Sequence, residues 1–354
     1  NVSILDKEAV LHLAKELNID GILSFGVDPG VVTAAYVAEQ MGLSFQCSYE
    51  SACILQDKSR FRQFLKDNNF NVPNAKGYSL KEEALADTAY YNWPVIVKPV
   101  DSAGSKGVTR VDELGQLSSA IDYALSESHN GHFIIEDFLE KEGNSSDCES
   151  FTVDGKLVFC SFNDQHFDSQ ALNPYTPAAF SWPSTMPQWA QEELMSELQR
   201  LMSLLNVKTG VYNIETRLCK NGKAYIMELA PRGGGNRLSE MMKYVSGQDL
   251  IDNCVRAAVG DSIDEIHQPV YEGYWVEIIL HSERDGVFRS IEIDKTVEER
   301  FLIEKDIWVK AGDKVQGFTG ANTTIGTLVL RFNTNEEMTC CLSNQERWLK
   351  IIVL

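Results

Sequence analysis

Glu215 and Glu228 stand on either side of Asn221-Gly222 in TGVYNIETRLCKNGKAYIMELAPRGGGN. Asn-Gly between alternating apolar runs is a strong signal for a two-residue hairpin turn. Counting outward from that turn sets Glu215 opposite Glu228 on one sheet face. Adjacent carboxylates repel unless a cation lies between them. Mg²⁺, which combines carboxylates with substrate phosphates, fits that position, and Mn²⁺ is admitted as well. The bland alternative is a surface pair that holds nothing.

Lys98 sits inside an apolar run, VIVKPV, directly ahead of the loop DSAGSKG. Small residues let backbone N–H groups approach a ligand, and clustered N–H groups suit phosphate oxygens. The loop is not a P-loop, because Gly107 is followed by Val-Thr rather than Lys-Ser/Thr. Read alone, the stretch is equally a plain hairpin with Lys98 reaching to solvent. Asp57-Lys58 opens the preceding helix and offers a second cation to the same cleft. Together, two lysines and a soft loop suit phosphates, while two carboxylates suit the metal that bridges them. IIEDFL supplies a strand and an apolar wall, and Arg232 opens a Gly-Gly-Gly segment where an anionic group could approach.

The elements that position these residues follow from pattern. GILSF (21–25), the turn GVDPG and the helix VVTAAYVAEQMG read as one unit of a parallel α/β sheet, with LSFQ as a further strand. Ser59 to Asn68 reads as a helix with Phe61, Phe64 and Leu65 inward. A strand-loop-strand-helix-strand module runs from Trp93 to Leu139. CESFTVDGKLVFCSFN predicts a hairpin around Asp154-Gly155. HFDSQALNPYTPAAFSWPSTMP is Pro-rich and aperiodic, and reads as a long loop over a cleft. Helices follow at 187–205, through SEMMKYVSG, and from Gln248 to Val259. From Val270 onward, short strands and turns predict a separate antiparallel β-rich domain. The chain opens on Asn1 in an amphipathic helix capped by Asp6, so a leading β-strand and Gly-rich loop are expected to be missing ahead of it.

Composition bounds the rest. The chain has 354 residues, enough for two or three domains, and the proportions of a soluble globular protein. A net charge of −19 argues against nucleic-acid and anionic-membrane partners. No apolar run approaches a membrane span. The eight cysteines form no CxxC pair and read as free buried thiols, which suits the cytoplasm. His129 and His132 read as solvated loop residues. His166 and Asp168 either line the cleft or lie on a surface loop; His281 and Arg284 read as structural.

The segments DKSRFRQFLKDNNFNVP, WPVIVKPVDSAGSKGV, IIEDFLE, CESFTVDGKLVF, GVYNIETRLCKNGKAYIMELAPRGGG and SGQDLI, in this order, resemble the ATP-grasp superfamily of ATP-dependent carboxylate–amine ligases, its amino-acid-ligase or carbamoyl-phosphate-synthase-like branch. The resemblance implies an α/β (α+β) fold. It divides the chain into an N-terminal parallel α/β domain (1–55, apparently truncated), an ATP-grasp domain (56–268, with a lid subdomain at 92–140) and a C-terminal antiparallel β-rich domain (269–354). It implies that Lys58 and Lys98 contact the α- and β-phosphates, and that the loop including Ser102, Gly104, Ser105 and Gly107 closes over ATP. It places Glu136, Phe138 and Leu139 at a hinge whose backbone reads the adenine edge, Glu149 on the ribose side, and Leu218 and Met227 around the ring. It assigns Glu215 and Glu228 to Mg²⁺, and Arg232 with Lys98 to catalysis.

One departure concerns the common E-x-N-x-R pattern: Ala230 stands where an Asn is usual, and Asn236 or water is a candidate replacement ligand. The implied partners are a small-molecule carboxylate and an amine, favoured as amino-acid-like because of APRGGGN and the tail DIWVKAGDKVQGF…IGTLVLRF; a homodimer is also implied. The alternatives are a purine-pathway or carbamoyl-phosphate-type ligase, and a degenerate ATP-binding protein without turnover.

Overall fold

Side-chain caps open several helices where the sequence signals them. The Asp57 carboxylate accepts from Ser59 N and Arg60 N at the start of Lys58–Asp67, and Ser48 and Asp249 cap Tyr49–Gln56 and Leu250–Val259 in the same way. Gly247, in the left-handed region, closes Leu238–Ser246. A computed structural model describes every residue of the chain except Ala103.

Four sheets organise the described residues, and the pairs between named strands are antiparallel. The first, in spatial order, is Ala75–Tyr78, Phe133–Asp137, Val95–Pro99 and Thr109–Val111, with helix Leu114–Ser126 packed against it. The second is Ala224–Ala230, Gly210–Leu218, Ser146–Val153 and Lys156–Ser161. One face of this central sheet packs on helices Pro29–Met41, Tyr49–Gln56, Lys58–Asp67 and Gln188–Leu204 around Phe61, Leu65, Tyr212 and Ile214. Its other face carries Asp147, Glu149, Asn213 and Glu215, then turns apolar at Phe151, Phe159 and Val211.

A third sheet holds Leu302–Ile307, Gly326–Phe332, Tyr274–Leu280, Pro177–Trp182 and Asp164–Phe167. Helices Leu238–Ser246 and Leu250–Val259 share the core between it and the central sheet. A small sheet of Lys314–Val315, Gly286–Ile293 and Leu349–Val353 completes the C-terminal region.

Three sequence expectations change. Residues 21–25 and 43–46 are not ladder strands; the first stretch is held through Gly26 N donating to Gly233 O at 3.1 Å, and Leu23 and Phe25 pack onto the second core. An extended segment becomes a strand only when a neighbour takes up its backbone groups in a continuous ladder, and among the described residues only single bonds are made here. Within the Pro-rich stretch, Pro177–Trp182 is a strand, so the irregular parts shrink to 168–176 and 183–187. The same strand pairs with Tyr274–Leu280, Trp182 facing Trp275. The C-terminal strands therefore share a sheet with 164–182 instead of standing apart.

Candidate active site

Glu228 and Glu215 are cross-strand partners, and Asp147 is the partner of Glu215 on the next strand. Three carboxylates thus form one row across the central sheet. Counting from the Asn221-Gly222 turn reaches this register because of a bulge: Ala224 pairs with Leu218 and Ile226 with Thr216, and Met227 is the extra residue before Glu228. Two residues along lies a second row, with Ala230 facing Asn213 and Asn213 facing Glu149.

Cations bracket the first row. Lys58 Nζ lies 3.4 Å from Glu228 Oε1 and donates to Ser102 O at 3.0 Å. Arg217 Nη2 lies 3.2 Å from Glu215 Oε1. Burial, reinforced by the Glu215 charge, pushes the Asp147 carboxyl up to about 7. Negative charge is therefore crowded here, and hard oxygen donors without sulfur or imidazole suit Mg²⁺ or Mn²⁺. Among the described residues no preassembled group of three or more His, Cys, Asp or Glu side chains is arranged to hold a metal ion. A cation held here would take its other ligands from phosphate and water, the usual habit of Mg²⁺.

Lys98 lies on the first sheet and donates to Glu136 Oε1, whose other oxygen accepts from Arg62 Nε at 2.9 Å. Arg62 Nη1 also donates to Met227 O at 2.7 Å, tying the first sheet to the bulge of the second. Burial works to raise the Glu136 carboxyl, but Arg62 and Lys98 outweigh it and hold it at about 2. Burial lowers Lys98 from its ordinary value even against that partner. Glu136 faces Ile96 on one side and Ala75 on the other, inside the ladder. The chain leaves the ladder after Asp137: Phe138 N donates to Pro94 O, and Leu139 O accepts from Arg217. Leu218 is buried in the hairpin arm opposite, and Met227 is half-buried.

The loop after Lys98 turns through left-handed residues Gly104, Ser105 and Gly107. Ser105 Oγ donates to Tyr175 O at 3.1 Å, so the loop leans on 168–176. That segment is pinned by Asp168 Oδ2, 3.1 Å from His281 Nε2, while His281 stacks on Phe318. His166 bonds Ser181 at 2.8 Å.

Arg232 is buried at the end of the second row. Its Nε donates to Asp28 at 2.6 Å, and its Nη1 donates to Asn213 Oδ1 at 3.1 Å and to Gly233 O at 2.9 Å. Burial opposes its charge, and Asp28 more than restores it. Asn213 Nδ2 donates in turn to Asp147 at 2.7 Å and Glu149 at 3.1 Å. Glu149 also accepts from Gly234 N at 2.8 Å and from Ser239 Oγ. A Cβ on Gly234 would sit 2.5 Å from that carboxylate, so only glycine permits the contact. Burial pushes the Glu149 carboxyl up to about 7.

Pattern reasoning had not singled out Arg62, Asp147, Asn213 and Asp28. Arg62 is one helical turn beyond Lys58, and that spacing could have revealed it. Asp147 and Asn213 meet only through a register that no tight turn fixes. Asp28 lies 204 residues from Arg232 in sequence, and nothing in the sequence links them.

Lys58 at a helix start and Lys98 on the first sheet both act on the charge of Glu228 in the central sheet. Residues 91–240 match the family model of the ATP-grasp domain. It is 26% identical, over 63% of its length, to the C-terminal section of the carbamoyl phosphate synthase large chain of Aquifex aeolicus. It is 24% identical, over 77% of its length, to the arginine-specific carbamoyl phosphate synthase large chain of Bacillus subtilis. The chain spans only 40% and 26% of those two relatives. The crystal structure of an L-amino acid ligase from Bacillus licheniformis superposes with a TM-score of 0.81 at 20% identity, covering 99% of this chain and 85% of that one. That likeness shows the ATP-grasp fold. Among the described residues, no helix is long and apolar enough to cross a membrane.

Proposed function

We propose that the protein is an ADP-forming, ATP-dependent ligase that activates a carboxylate as an acyl-phosphate and passes it to an amine. The observation that carries this reading is the Glu215–Glu228 cross-strand pair, with Lys58 reaching both Glu228 and the small-residue loop. Lys58 and Lys98 stabilise charge on the phosphates, and N–H groups of the loop at Ser102, Gly104, Ser105 and Gly107 add to it. Glu136, Phe138 and Leu139 border the adenine position, with Leu218 and Met227 on the facing sheet. Glu215 and Glu228 would hold a Mg²⁺ ion, which would neutralise phosphate charge there.

The substrate carboxylate oxygen attacks the γ-phosphorus, the bond to the β-phosphate oxygen breaks, and ADP leaves. The amine then attacks the acyl carbon, and inorganic phosphate departs with the bonding electrons. Arg232, oriented by Asp28 and Asn213, holds the anionic group in line. The loop excludes water that would hydrolyse the intermediate.

Amino-acid-like substrates are favoured by the structural likeness to an L-amino acid ligase. The carbamoyl phosphate synthase relatives support a second reading, in which bicarbonate is the carboxylate. ADP release with Mg-ATP and pairwise mixtures of amino acids, amines and small carboxylates separates them. Dependence on a specific carboxylate–amine pair supports the first, and dependence on bicarbonate supports the second. ATP binding without ADP release under any condition defeats both.

A further inference from the structure

A groove of about 660 Å³ runs between helix Lys58–Asp67 and strand Ala75–Tyr78. None of Lys58, Lys98, Glu215 or Glu228 lines it. Ser59, Arg62, Gln63 and Lys66 do, at the i, i+3, i+4, i+7 spacing of a single helix face. Val72, Pro73 and Tyr90 contribute to the lining from the other side. The volume is that of an ordinary small-molecule pocket.

Two cationic groups on this face have donors to spare. Arg62 uses Nε on Glu136 and Nη1 on Met227, while Nη2 has no hydrogen-bond partner among the described residues. Lys66 makes no ion pair among them. The chain carries 51 acidic and 32 basic residues, so two unspent cations one helical turn apart, with apolar side chains beside them, depart from its general character.

We propose that this groove is a second binding site, for an organic anion with a ring-sized apolar body and one carboxylate or phosphate-monoester head. The head bonds Arg62 Nη2 and Lys66 Nζ, and the body lies against Pro73 and Tyr90. Arg62 is also the residue that holds Glu136 beside Lys98. Occupancy of the groove therefore draws on the guanidinium that orders the phosphate-facing lysine, and by linkage nucleotide binding alters affinity for the anion. That coupling rests on the ligase reading; the binding site itself does not.

The test is a fluorescence titration of the full chain with 8-anilinonaphthalene-1-sulfonate, an aromatic anion, with a non-hydrolysable Mg-ATP analogue present in excess. The expected result is one saturable site per chain, weakened about tenfold or more by Lys66→Glu through loss of a charge-assisted contact. Lys295→Glu, on an exposed distant helix, leaves the affinity unchanged, and both variants keep the wild-type melting temperature. Displacement by phenyl phosphate but not phenylacetate assigns a phosphate head, and the converse assigns a carboxylate. Equal affinity for wild type and Lys66→Glu, or displacement by neither competitor, overturns the proposal. Since the readout needs no turnover, its failure leaves the ligase reading standing, and an inactive protein can still show the site.

Discussion

Asn213 faces Ala230 directly across the central hairpin. The amide that the usual E-x-N-x-R pattern would carry on one strand has a counterpart on its neighbour, already bonded to Asp147, Glu149 and Arg232. Neither Asn236 nor a water need replace it for the row to contain an amide. Asn213→Ala leaves Arg232 without one acceptor, and removes a donor from Asp147 and one of three from Glu149. The expected outcome is ADP release slowed by about ten- to a hundredfold, in line with the loss of one positioning contact. Asn213→Asp, which adds a further negative charge to the row, slows it more. Steady-state kinetics of both variants check this ordering.

Glu136 answers to two buried cations. Glu136→Gln leaves Lys98 and Arg62 without their shared anion and costs about 3–5 kcal/mol of stability, as breaking a buried ion pair does. The sign with pH follows from its carboxyl being held at about 2, below the ordinary value near 4.3. The stabilisation is complete above the ordinary value and is lost as pH falls toward 2. Melting curves between pH 5 and 2 should show a steeper fall for wild type than for the variant.

Glu277 behaves in the opposite sense. It is fully buried on Tyr274–Leu280, neither carboxylate oxygen has a partner among the described residues, and burial raises its carboxyl well above the ordinary value. The folded state then binds a proton that the unfolded chain releases above about pH 4.3. Stability contributed at low pH is lost as pH rises, by at most about 1.4 kcal/mol per pH unit. Glu277→Gln removes the ionisation, so the variant gains on wild type steadily from pH 5 to pH 8. A difference in melting temperature that does not grow with pH would contradict this account.

Much of this was legible in advance because local chemistry decided it. The hairpin at Asn221-Gly222, the helix opened by Asp57 and the module around Lys98 each carry their own turn or cap. The hairpin count reached Glu215 and Glu228 through a bulge at Met227 that it did not foresee. What the sequence hid depends on contacts between distant segments. Residues 21–25 look like a strand, yet no neighbour completes the ladder. Pro177–Trp182 looks like loop, yet Tyr274–Leu280 recruits it into a sheet. Asp28 finds Arg232 only when the N-terminal segment folds against the Gly-rich turn.

Lys58 and Glu228 separate binding from chemistry. Lys58→Met removes a cation from the proposed phosphate site and is expected to raise the KM for ATP and lower kcat together. Glu228→Gln, which keeps the shape but removes the charge proposed to hold the metal, is expected to lower kcat by about a hundredfold or more, the scale seen when one group stabilising transition-state charge is removed. The ion pair these residues make is partly exposed, so neither change should lower the melting temperature appreciably. Circular dichroism beside the kinetics checks that both variants are folded.

Hydroxylamine trapping tests the central claim most directly. The full chain is incubated with Mg-ATP, hydroxylamine as the amine, and a panel of carboxylates that includes the twenty amino acids and bicarbonate. The account predicts hydroxamate from at least one carboxylate, formed in step with ADP and abolished in Glu228→Gln. ADP that appears without any carboxylate, or bound ATP that yields neither ADP nor hydroxamate across the panel, would contradict it.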